Sequence, residues 1–168
     1  MRHRYFILAS VLGLAIAVPA LAQTTYTTNL TGGSEVPANA SAATGTCTAV
    51  VNAAQTQVTI SCAFQNLGGT YTASHLHGPA PVGVNASVRI GFVAPTAPWV
   101  FSNSNHNGTL VNYTVAIAAA DVTTLANGQM YANVHSSTFP GGEIRGQMGL
   151  SPVPTAKSTW SRVKSLYR

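Results

Sequence analysis

Thr46-Cys47-Thr48-Ala49-Val50-Val51, followed after a polar hexapeptide by Val58-Thr59-Ile60-Ser61-Cys62-Ala63-Phe64, is the stretch that decides the fold. Both runs alternate apolar and polar residues with period two, the mark of half-buried strands. Asn52-Ala53-Ala54-Gln55-Thr56-Gln57 lies between them and turns the chain. An antiparallel register that pairs Cys47 with Cys62 also sets Ala49 opposite Ile60 and Val51 opposite Val58. All six side chains then share one face, because a strand sends alternate side chains to the same side. One register thus satisfies a Cys47–Cys62 disulfide and an apolar face together. A bridge closing a loop of this size contributes roughly 3 kcal/mol in the chain-entropy model.

Working outward, short alternating runs recur along the chain, separated by Gly, Pro and Asn clusters. They predict strands near 24–30, 44–52, 56–66, 71–77, 86–93, 109–117, 129–136 and 143–150. Strong helical periodicity is nearly absent. Residues 94–108, with Pro95 and Pro98, read as a long loop. Ala118 to Ala126 reads as one or two helical turns, ended by Asn127-Gly128 as a C-terminal cap. This is the pattern of an all-β, antiparallel sandwich or barrel with one short helical turn, in a single domain over residues 23–150.

The two ends differ from this body. Arg2, His3 and Arg4, then the apolar run Phe6 to Val18, then Pro19-Ala20-Leu21-Ala22, read as a signal peptide over residues 1–22. The apolar run falls short of the ~20 residues of a membrane span. The expected location is therefore secreted or periplasmic, an oxidising setting that favours the disulfide. Residues 151–168 open with Ser151-Pro152-Val153-Pro154 and carry Lys157, Arg162, Lys164 and Arg168. Two readings of this basic tail stand: a flexible segment, or a short amphipathic helix that touches an anionic surface. The formal net charge of the whole chain is +5. The body holds only Arg89 and Arg145 against Glu35, Asp121 and Glu143, and so sums to −1. A body with two cations excludes ordinary nucleic-acid binding, which needs several cations on one face.

Four histidines follow the signal segment: His75, His77, His106 and His135. If Leu76, Val134 and Ile144 are core, strand parity turns His75, His77, Asn133, His135, Glu143 and Arg145 to the outer face. An H-x-H strand pair sets two imidazoles on one side at ~6.6 Å between Cα atoms, from a rise of ~3.3 Å per residue. With His135 from a neighbouring strand they form a candidate transition-metal site, copper favoured over zinc; a structural polar cluster is the alternative. Glu35, Asn133, Glu143 and Arg145 form the expected polar surroundings, with Arg145 pairing either Glu35 or Glu143. His106, in an Asn/Ser/Gly loop, reads as solvated, and Asp121 as a helix-start residue. No catalytic residue is assigned.

Leu30-Thr31-Gly32-Gly33-Ser34-Glu35-Val36-Pro37, His75-Leu76-His77-Gly78-Pro79-Ala80, Gly128-Gln129-Met130-Tyr131-Ala132-Asn133-Val134-His135 and Pro140-Gly141-Gly142-Glu143-Ile144-Arg145-Gly146-Gln147 occur in that order. In motif and spacing over residues 24–150 the chain resembles the CHRD domain, a repeat described in chordin and present in many exported bacterial proteins. The resemblance implies an extracellular, immunoglobulin-like β-sandwich and no particular reaction. Cys47 and Cys62 are not part of the family motif. Two functions follow as expectations: an exported, non-catalytic module holding a metal through His75, His77 and His135, or an extracellular interaction module without metal, bound to a protein of the envelope or matrix. A third rests on analogy of pattern alone: His75, His77, His135 and Arg145 follow the order of the copper ligands and late arginine of Cu/Zn superoxide dismutases.

Overall fold

The structure, a computed structural model, describes residues 22–151. The expected signal peptide and basic tail lie outside the described residues, apart from Ala22 and Ser151. The described residues form ten strands: β1 (Thr24–Thr31), β2 (Thr44–Val51), β3 (Gln57–Gln65), β4 (Tyr71–His77), β5 (Val88–Gly91), β6 (Val100–Ser102), β7 (Asn107–Ala116), β8 (Tyr131–Ser136), β9 (Ile144–Gln147) and β10 (Gly149–Leu150). One helix, α1 (Ala119–Ala126), joins β7 to β8, and Gly128, at φ +65°, turns the chain beyond it. The fold is all-β.

The β2–β3 hairpin adopts the register its sequence dictates: Cys47 faces Cys62, Ala49 faces Ile60 and Val51 faces Val58. The disulfide is formed, with the two Cα atoms 4.2 Å apart. All six residues are buried, so alternation and bridge serve one face. Every strand pairing is antiparallel, in the order β5-β4-β8-β9-β1-β2-β3-β7-β6, with β10 also pairing β1. The sandwich is one continuous sheet curled on itself. β9 meets β1 at Thr31 with Arg145, and β10, one residue farther along the same segment, meets it at Thr27 with Gly149 and Tyr26 with Leu150.

The curl is visible in the aromatic core. Phe64 of β3 and Tyr71 of β4, far apart in strand order, stack face to face at 5.6 Å. Trp99 lies against Phe64, Tyr71, Phe92 and Phe101. Its indole N–H donates to the Phe92 carbonyl at 2.6 Å, which satisfies the polar end of a buried ring. The segment read as a loop over 94–108 therefore contains strand β6 and a buried aromatic anchor. Its prolines hide the strand signal, and the three residues of β6 are too few to show alternation.

Replacing both Cys47 and Cys62 by Ala is expected to lower unfolding free energy by about 2–4 kcal/mol, because the open hairpin gains chain entropy when unfolded. Urea denaturation of the double variant checks this. A loss well under about 1 kcal/mol would show that the apolar pairs hold the register alone.

Candidate metal centre

The sheet register builds the site. In the β4–β8–β9 half, His75, Asn133 and Arg145 are consecutive cross-strand partners, as are His77, Tyr131 and Gln147. His135 lies opposite Ala73, next along the same face. Leu76, Ala132, Val134 and Ile144 point the other way and are fully buried. Parity thus places the histidines on the outer face, as expected. That face is itself covered: Tyr131, Asn133 and Arg145 are buried, His77 is 8% exposed, and His75 and His135 are half-open.

The three imidazoles converge. One donor nitrogen from each of His75, His77 and His135 lies within 4.8 Å of the other two. His75 Nδ1 and His135 Nε2 are 3.2 Å apart. His77 Nδ1 donates to the Ala86 carbonyl at 2.9 Å, and His135 Nδ1 donates to the Pro140 carbonyl at 2.9 Å. A carbonyl accepts only, so each contact fixes its ring as the Nδ1–H tautomer with the lone pair on Nε2; that of His77 has no partner, and that of His135 accepts from His75 Nδ1–H. This is the backbone support that metal-ligating histidines receive. Burial holds all three imidazoles below their ordinary pKa, and for His75 burial with the neighbouring His135 and His77 brings it to about 4. The rings are neutral at pH 7, the state a metal requires.

The cover is the loop over 78–87, and Arg145 fastens it. Its guanidinium donates from Nη1 to Asn85 Oδ1 at 2.9 Å and from Nη2 to the Val84 carbonyl at 2.7 Å. It also stacks on Tyr131, 3.4 Å from the ring centroid. His77 stacks on the same ring at 4.9 Å, reaching it from β4 while Arg145 comes from β9. The Tyr131 hydroxyl meets the Ala86 backbone, and Gln147 Nε2 donates to the Ala80 and Gly128 carbonyls. Asn85 Nδ2 donates to the Val36 carbonyl, tying the loop to the segment that carries Glu35. Burial raises the Glu35 carboxyl pKa, and the Arg145 charge opposes that rise.

Glu143 is not in this cluster. It is fully buried in a separate network, accepting from Ser41 Oγ at 2.6 Å, the Gly68 N–H at 2.6 Å and the Ser136 hydroxyl. The preceding Gly142, at φ +133°, breaks the strand parity that would have turned Glu143 toward the histidines. Among the described residues Arg145 pairs with neither Glu35 nor Glu143; the one ion pair is Arg89 Nε to Asp121 Oδ1 at 2.6 Å. Asp121 thus answers Arg89 instead of capping α1 with its side chain. His106 is half-buried and its Nδ1 donates to the Leu67 carbonyl, so it fastens a loop. Sequence reasoning left out Tyr131, Asn85 and the Ala86 carbonyl. Tyr131 shares the outer-face parity of His135, which was the available signal; a backbone acceptor leaves none.

These features define an all-β module with a histidine cluster under a fastened loop. The model of the CHRD domain matches residues 26–148, and the chain belongs to that family. No curated protein and no solved structure matches it.

A pH dependence follows for the metal-free protein. Each of the three histidines binds its proton less readily folded than unfolded, so protons favour the unfolded chain. Their stabilising contribution is complete above about pH 6.5 and falls as the pH drops toward about 4, where His75 titrates. The urea midpoint is expected to fall across that window, and His75→Gln is expected to flatten the slope. An unchanged slope in that variant would contradict a neutral, half-buried His75.

Proposed function

We propose that the protein is an exported, non-catalytic CHRD-domain module that holds one transition-metal ion, copper before zinc, through His75, His77 and His135. The observation that carries this reading is the convergence of three donor nitrogens within 4.8 Å, two of the rings being oriented by backbone carbonyls. Three imidazoles suit copper and zinc, and the order of divalent affinities favours copper. Both cysteines are spent in the disulfide and supply no thiolate. Export is supported by the N-terminal pattern and by a disulfide, which persists in oxidising compartments. A dismutase-like role receives little support, since both terminal nitrogens of Arg145 are engaged by the covering loop.

A second reading, an interaction module without metal, is favoured by exposed Val82, Val84 and Val88 in and just after that loop. Titration with Cu(II), followed by calorimetry and electron paramagnetic resonance, separates the two. One ion per chain is expected, with affinity falling by about 100-fold or more in His77→Ala and His135→Ala, at least the upper end for loss of a supporting group. No stoichiometric uptake, or unchanged affinity in both variants, would overturn the metal reading and leave the interaction reading standing.

A further inference from the structure

Three buried side-chain polar atoms lack a hydrogen-bond partner among the described residues: Glu35 Oε1, His77 Nε2 and Asn133 Oδ1. They belong to one place. Asn133 is 3% exposed, faces His75 across the strand pair, and exerts a hydrogen-bonding influence on both Glu35 and His77. A Cβ built on Gly142 would stand 2.6 Å from Asn133 Nδ2 and 2.6 Å from Glu35 Oε1. The amide nitrogen and the carboxylate therefore crowd one point, and glycine at 142 leaves room for both. The amide oxygen is left toward His77. His77 has already spent its Nδ1–H on Ala86, so Nε2 presents a lone pair. His77 Nε2 and Asn133 Oδ1 are then two buried acceptors without a donor among the described residues. A buried acceptor without a partner costs about 1–3 kcal/mol, and a cation satisfies both at once.

We infer that the Asn133 amide oxygen is a fourth ligand of the centre, oriented by Glu35, so that the ion is held by three imidazole nitrogens and one protein oxygen. This rests on the copper reading and adds a donor to it. Glu35 acts through Asn133 and is a positioning residue. The set lies on adjacent positions of β4 and β8, with Glu35 supplied by the segment that Asn85 ties to the covering loop.

The test uses the Cu(II)-loaded full chain. X-ray absorption is expected to give one oxygen beside three imidazoles, and spin-echo modulation in D2O is expected to show no directly bound water. Asn133→Val is expected to weaken copper binding by about 10–100-fold, in the range for lost supporting groups at metal sites. It is also expected to bring in a deuterium signal from water. Asn133→Asp is expected to bind more tightly with a changed g tensor, which covers the case in which the valine variant fails to fold. Glu35→Gln is expected to weaken binding less than Asn133→Val. Strong deuterium modulation in the unaltered protein, or affinity and spectrum unchanged in Asn133→Asp, would overturn the fourth ligand while leaving the histidine site intact. Failure of the unaltered protein to take up one copper ion would overturn both.

Discussion

The structure depends on the burial of Arg145. A guanidinium carries five N–H donors and a charge that cannot be shed, so taking it from water is costly unless those groups find acceptors. Arg145 is 2% exposed and has no carboxylate in salt-bridge contact among the described residues. It is satisfied by a carbonyl, an amide oxygen and an aromatic face. Two of those three belong to the loop over 78–87. That loop has to lie across the outer face of the sheet, and lying there it delivers the Ala86 carbonyl to His77. Arg145 also stands at the residue pair by which β9 joins β1. One side chain thus ties sheet continuity to the cover of the site.

Two buried polar clusters flank β8 and solve different problems. Around Glu143 the protein supplies donors: two hydroxyls and a backbone N–H converge on a carboxylate. That cluster is closed and needs nothing more. Around His77 the protein supplies acceptors, and the donors are missing. Buried polar groups are ordinarily satisfied, so the contrast within one strand's reach separates a closed structural fixture from the cluster proposed to hold a metal.

Most of the strand framework was legible because it rests on periodicity. The Cys47–Cys62 register follows from alternation and the bridge together, and the outer-face position of His75, His77 and His135 follows from parity. Parity fails where the backbone leaves the strand, which is why Glu143, preceded by Gly142 in a left-handed conformation, went elsewhere. It is also silent about cover. The histidine face was read as outward and turned out to be roofed, because the roof is made by backbone carbonyls and an asparagine in an irregular loop. His106 illustrates the same limit: a loop residue with a carbonyl partner looks identical in sequence to a solvated one. Strand β6 was missed because three residues carry too little pattern.

The neutrality of the three imidazoles has an electrostatic consequence for the whole body. Because burial already keeps them unprotonated at pH 7, a divalent ion entering the cluster displaces no proton from them. Its two charges add in full to a body that sums to −1, giving +1. So sparse a set of ionised side chains lets a single ion change the sign of the body's own charge and bring it to the sign of the basic tail at 151–168.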